Sequence, residues 1–323
     1  ENVRVEDRRV FFTGDETALA KANICLRTGE RIMVVLAQFT AKSFEELFQG
    51  VYHANLEDYI PKDGQFPVKG HCLNSQLMSV SDCQAIIKKA ASKRLGEKYG
   101  LNWLPETGIK FQLHFTILND QVTLSIDTSG PGLHKRGYRA VGNDAPLHET
   151  LAAGMIQLTR YRGREYFWDP FCGSGTIPIE AALIALNIPP CIYRNSFAFE
   201  KWNDFDADLF DDIYNDDSRE REFTHKIYGY DINKRTVEIA NENIKSAGLS
   251  KYIEVKQRPI AEFEPMPQKA LMVTNPPYGE RILSDDLFNL YRQIGTALKH
   301  GFVGNEAWVI SSHTDCLAAI GMK

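Results

Sequence analysis

Between Tyr166 and Ser311, short apolar runs and helical stretches take turns. Strands are expected at Tyr166–Asp169, Lys226–Asp231, Tyr252–Lys256, Ala270–Thr274 and Glu306–Ser311. Helices are expected at Thr176–Ala185, Lys234–Ala247 and Asp285–Leu298, with another at Glu149–Thr159 ahead of them. A strand, a helix and a second strand close a βαβ unit, and repeated units build a mostly parallel sheet covered on both faces. This rhythm makes the second half an α/β domain.

The first half is ordered differently. Val3–Phe12 is extended in character, and Gly14-Asp15 is a turn whose Asp can cap the next helix, to which Ala18, Leu19, Ala22, Ile24 and Leu26 are suited. Arg31–Phe39 reads as a buried strand, Ser43–Tyr52 as a helix, and Phe66–Gly70 as a short strand. Ser81–Tyr99 is amphipathic, with Ile86, Ile87 and Leu95 on one side and Lys88, Lys89, Lys93, Arg94 and Lys98 on the other. Ile109–Leu118 and Gln121–Asp127 form a hairpin through Asn119-Asp120. Ser129-Gly130-Pro131-Gly132 is the strongest loop signal, so the boundary is placed there: an α+β region over 1–130 and an α/β domain over 131–323.

Composition narrows the function classes. At 323 residues and 43% hydrophobic, the chain is long enough for two domains with real cores, which excludes a disordered or collagen-like chain. The six cysteines include no Cys-x-x-Cys pair, so a zinc ribbon or thioredoxin-type site is not expected, and reduced thiols in the cytoplasm are. The acidic stretch Asp204–Glu222 lacks calcium-loop spacing and reads as a solvated connection, so no metal is expected. No apolar run approaches the roughly 20 residues that span a bilayer, and no membrane role is expected. A net charge of −5 argues against coating nucleic acid everywhere but leaves room for a local basic patch.

Three motifs carry chemistry. Asp169-Pro170-Phe171-Cys172-Gly173-Ser174-Gly175-Thr176 joins a strand end to a helix start, where ligands bind in doubly wound sheets. Its two glycines let the backbone turn sharply and approach a ligand, although Gly-x-Gly alone is also an ordinary turn. Asp231, at the end of the next strand, is placed to accept hydrogen bonds from ribose hydroxyls or else to cap a helix. Asn275-Pro276-Pro277-Tyr278 follows the apolar run Leu271-Met272-Val273. Two prolines end the strand and stiffen the corner. The Asn275 amide oxygen and the Pro276 carbonyl can accept both hydrogens of a planar amine, and Tyr278 offers a stacking face.

Together these motifs resemble class I S-adenosylmethionine-dependent methyltransferases acting on nucleobase amino groups. Asp127–Gly130, Leu133-His134-Lys135-Arg136-Gly137-Tyr138-Arg139, Ala145–Ala152 and Phe197–Trp202 narrow the resemblance to THUMP-containing RlmL-like ribosomal RNA guanine-N2 methyltransferases, often labelled adenine-specific DNA methylases. The resemblance implies a Rossmann-like methyltransferase domain preceded by part of a ferredoxin-like element and a THUMP module over roughly 18–129. It implies that Asp169 to Thr176 surround the methionine part of S-adenosylmethionine, that Asp231 holds the ribose and Ile232 packs on the adenine. The helix opened by Pro146–Leu151 closes the methionine side, and Asn275 to Tyr278, with Asn275 also beside the cofactor, hold the target base. Phe199 and Trp202 are candidates for enclosing that base or for core packing.

RNA is expected on Lys88, Lys89, Lys93 and Arg94, and on Lys135, Arg136 and Arg139. The chain departs from the family in placing Pro259 where an acid meets the adenine edge, leaving backbone groups or Glu262 for that task, and His148 where a lysine is usual. It also begins later and stops earlier than the family pattern. The rival expectations are an adenine-N6 DNA methyltransferase, a transfer-RNA guanine-N2 enzyme and a non-catalytic RNA-binding protein.

Overall fold

A computed structural model describes residues 2–140, 146–264, 268–278 and 284–322. In chain order its strands and helices are β1 (Arg4–Glu6), β2 (Arg9–Phe11), α1 (Glu16–Cys25), β3 (Met33–Thr40), α2 (Phe44–Tyr52), β4 (Val68–Leu73), α3 (Val80–Tyr99), β5 (Leu113–Leu118), β6 (Gln121–Asp127) and α4 (Glu149–Leu158). There follow β7 (Tyr166–Asp169), α5 (Thr176–Leu186), α6 (Ala207–Tyr214), β8 (Ile227–Asp231), α7 (Lys234–Ser246), β9 (Ile253–Gln257), β10 (Ala270–Thr274), α8 (Ser284–Gly301), β11 (Glu306–Val309) and α9 (Thr314–Ala319). Two compact units result. One takes residues 1–23, 30–133 and 195–213, the other 24–29, 134–194 and 214–323. A single boundary near 130 therefore misses two exchanged segments.

In the first unit, β1 and β2 form a separate antiparallel ribbon rather than one extended strand. The main sheet has the order β3-β6-β5-β4. Asn119 and Asp120 both have positive φ (51° and 64°), the geometry of a two-residue hairpin turn, and they connect β5 to β6. Helix α2 is held by a reciprocal cap between Ser43 and Glu46. Helix α3 stops at Gly100, whose φ of 65° suits a left-handed cap. It buries Cys83, Ile87, Ala90, Ala91 and Leu95 against Leu47, Val51, Phe115 and Leu124. Strand β3 is not the buried strand expected: it is an edge, and its residues are half-buried or exposed.

In the second unit, five parallel strands lie in the order β11-β10-β7-β8-β9. Phe167, Leu271 and Val273 point to a core shared with α4, α5 and α7. Their neighbours Trp168, Ala270 and Met272 point to a second core with α8 and α9. The sheet is thus covered on both faces, as its apolar strands require. From β7 the chain moves outward to β8 and β9, then returns to β7's other side for β10 and β11. That reversal opens a crevice at the carboxyl ends of β7 and β10.

Candidate active site

Strands β7, β8 and β10 lie side by side, so Asp169, Asp231 and Asn275 emerge at one edge of the sheet. Asp169 is fully buried. Its Oδ1 accepts from the Thr274 hydroxyl at 2.7 Å and from the Phe171 N–H at 3.2 Å, whereas Oδ2 is buried with no partner among the described residues. Burial pushes this carboxyl up to about 7, opposed by the Thr274 and Phe171 hydrogen bonds and reinforced by the charge of Asp231.

The turn after β7 folds back on the next strand: Cys172 N–H donates to the Tyr230 carbonyl at 2.8 Å. Gly173 and Gly175 take φ of 53° and 85°, and a Cβ on Gly173 would meet no protein atom within 4 Å. The turn therefore presents bare backbone to open space, which suits close ligand approach. Pro170 and Cys172 are buried and Phe171 is half-buried. Burial raises the Cys172 thiol well above its ordinary value, which disfavours the thiolate.

Asp231 accepts from the N–H of Asn233 at 2.8 Å and from that of Gly173, which ties β8 to the glycine turn. Burial nonetheless raises its pKa. Beside it the apolar side chain of Ile232 is 71% exposed. The Asn275 Oδ1 is buried without a partner among the described residues. Pro276 is buried, while Pro277 and Tyr278 are exposed. Behind this corner the Tyr291 hydroxyl lies 2.9 Å from Ser311 Oγ and 3.5 Å from the Pro277 carbonyl. Gly279, Glu280 and Arg281, which complete the motif, lie outside the described residues, as does Ala145.

Several expected contacts are placed elsewhere. Arg136 is 1% exposed and pairs with the equally buried Glu180 at 3.5 Å, so it has no surface to offer a phosphate. Arg139 is held by Glu149, Ser174 and Thr176. Lys88 is taken up by Glu106 at 2.6 Å and lies 3.4 Å over the Phe66 ring. Arg94 is taken up by Glu57. Lys89, Lys93 and Lys135 remain exposed.

Phe199 and Trp202 pack inside the first unit. Trp202 lies against Tyr59 and Phe111, and Phe199 belongs to an aromatic cluster with Phe197, Phe205 and Phe210. Core packing is the reading that holds for both. His148 stacks on His134 with ring centres 4.4 Å apart. Sequence reasoning missed Asn243 and Glu180. Each is a polar residue set among the apolar neighbours of its helix, and that mismatch is the signal that would have found them.

Residues 136–323 match the RMKL-like methyltransferase domain, residues 41–127 the THUMP domain, and residues 1–33 the RlmL ferredoxin-like domain. The chain is 41% identical to the "Putative RNA methyltransferase YpsC" of Bacillus subtilis over 92% of its own length and 78% of that relative's. A crystal structure from Listeria monocytogenes, described as "a predicted N6-adenine-specific DNA methylase", superposes with a TM-score of 0.93 at 42% identity, covering 99% of this chain and 85% of that one. A second, titled as a methyltransferase complexed with SAH, gives 0.90 at 37%, covering 99% and 86%. Against the ribosomal RNA large subunit methyltransferase K/L of a Shewanella strain the identity is 31% over 97% of this chain, which spans 45% of that relative. With its glycine turn, paired carboxylates and proline corner on one parallel sheet, the chain belongs to the RMKL-like methyltransferase family.

Proposed function

We propose that the protein methylates the exocyclic amino group of a nucleobase in RNA, namely guanine N2 of large-subunit ribosomal RNA. The observation that carries this reading is the buried Asn275 Oδ1, without a partner among the described residues, on a proline-stiffened corner one strand away from the glycine turn. The cofactor is S-adenosylmethionine, which when bound supplies an activated methyl group on a positively charged sulfur. The fit rests on Asp169 Oδ2, without a partner among the described residues, and on the space those residues leave open at Gly173. Asp169 to Thr176 would hold its methionine part, Asp231 its ribose and Ile232 its adenine.

Asn275 Oδ1 and the Pro276 carbonyl accept the two hydrogens of the target amine. The amine nitrogen is a poor nucleophile because its lone pair is delocalised into the base. Two acceptors favour a more tetrahedral nitrogen, and their bonds strengthen as positive charge develops on it, so they act chiefly in the transition state. Holding nitrogen and methyl carbon in line supplies much of the remainder. Tyr278 gives the base a face to stack on. A base inside a duplex cannot reach this corner, so the target is unpaired or flipped out. Lys89, Lys93 and Lys135 supply phosphate contacts.

Mass spectrometry of nucleosides from RNA and DNA of cells with and without the gene tests the reading. Loss of N2-methylguanosine from ribosomal RNA is expected. Its loss from transfer RNA alone moves the substrate, and loss of N6-methyladenine from DNA overturns the assignment. Asn275→Ala is expected to lower turnover by roughly 10²–10³-fold, the range for losing one transition-state hydrogen bond. SAH affinity, read by calorimetry, should stay within threefold.

A further inference from the structure

Two stretches of chain remote from each other in sequence converge on the glycine turn. From the segment before α4, Arg139 Nη1 donates to Ser174 Oγ at 2.7 Å and Nη2 to Thr176 Oγ1 at 2.9 Å. The same guanidinium meets Glu149 Oε1, in the first turn of α4, at 2.7 and 3.1 Å. From α7, the fully buried Asn243 donates through Nδ2 to the Ser174 carbonyl at 3.0 Å, while its Oδ1 accepts from Ala140 N–H at 3.0 Å. Ser174 is thus held by both its hydroxyl and its carbonyl.

The residues just upstream are anchored too. Tyr138 donates to Glu180 Oε1 at 3.1 Å, and Arg136 pairs with the same oxygen, so both grip the middle of α5, which begins at the turn. Gly137, with φ of 98°, lies so close to Tyr193 that a Cβ would fall 2.0 Å from its carbonyl oxygen. Residues 136–140 thus form a strap pinned to both the start and the middle of α5.

We propose that Arg139 is a positioning residue for the methyl donor and not an RNA contact. The physical need lies in the turn itself. Gly173 and Gly175 give it the backbone shape required, but glycine loses more conformational freedom on ordering than any other residue. Gly175 gives α5 no side-chain cap. Hydrogen bonds from outside order the turn before the donor arrives, so binding does not bear that cost. Arg139 suits the task because its planar fork reaches three acceptors on two elements, which a lysine cannot do. It sits at the positive end of α5, where a cation is disfavoured, and the Glu149 carboxylate offsets that charge.

The inference rests on the cofactor assignment and not on the identity of the nucleic acid. Its test is calorimetric binding of SAH to Arg139→Gln, Arg139→Lys and Ser174→Ala, alongside binding of large-subunit ribosomal RNA across a salt series. Arg139→Gln is expected to weaken SAH at least tenfold, Arg139→Lys to recover part of the loss, and Ser174→Ala to weaken it about threefold. The first and third losses should not add in the double variant. KM for S-adenosylmethionine should rise while kcat stays within threefold, and the salt dependence of RNA binding should not change.

Unaltered SAH affinity in a folded Arg139→Gln protein overturns the proposal. So does a salt slope shallower by about one phosphate contact, which would return Arg139 to the RNA surface. If Arg139→Gln does not fold, the result for Ser174→Ala and Arg139→Lys decides. Failure to bind RNA at all would count against the proposed function and leave the SAH result standing.

Discussion

At the residue scale the site is marked by two buried oxygens that lack partners among the described residues, Asp169 Oδ2 and Asn275 Oδ1. Such atoms cost stability unless a ligand completes them. The Asp169 carboxyl is raised to about 7 by burial, so the ligand-free fold favours its protonated form. The groups facing it are the Thr274 hydroxyl, the Phe171 N–H and, more distantly, Asp231 and Cys172. Ionisation is disfavoured in the native state. Ligand-free stability should therefore fall as pH climbs from the unfolded carboxyl's range near 4 through about 7.

A cationic ligand needs the carboxylate, so S-adenosylmethionine affinity should rise over the approach to pH 7 and level off above it. Asp169→Asn should flatten both profiles, and denaturation and calorimetry across pH check them. Glu180 gives a second prediction. Glu180→Gln leaves Arg136 buried beside a neutral amide, and losing one partner of a buried pair costs about 3–5 kcal/mol. A lower denaturation midpoint should reveal it.

At the element scale, β7, β8 and β10 were legible as short, mostly apolar runs flanked by turn residues, and one helix between the strands shows a clear cap. Asn233 caps α7 through its side chain. Strand β3 misled because Met33-Val34-Val35-Leu36 is as apolar as a central strand, and only pairing decides that it forms an edge. Helix α9, six residues long, carries too little pattern to be read.

The glycine turn and proline corner were legible as motifs. The partners of Arg136 and Arg139 were not, since a basic stretch has the same composition whether it meets phosphate or buried glutamate. Among the α3 cations, Lys88 and Arg94 are half-buried and held by Glu106 and Glu57, whereas Lys89 and Lys93 are exposed, Lys93 with a surface pairing to Glu97. Lys89→Glu with Lys93→Glu should flatten the salt dependence of RNA binding by one to two phosphate contacts. Lys88→Ala should instead lower thermal stability and leave that slope unchanged.

At the scale of the whole molecule, a net charge of −5 fits RNA binding because affinity follows local placement of cations and not the sum. Among the described residues no helix is long and apolar enough to cross a membrane. The change in rhythm near 130 marks a shift from α+β to α/β elements, whereas the exchange of segments leaves no such mark, because Trp202 finds Tyr59 and Phe111 by folding and not by spacing.

That exchange has a practical result for anyone dissecting the protein. No single scission can release either unit whole. A fragment starting at 131 carries Trp202 away from Tyr59 and Phe111, against which it packs, and should bind hydrophobic dyes and precipitate. The two halves are spliced into one another, so they are inherited, expressed and lost together.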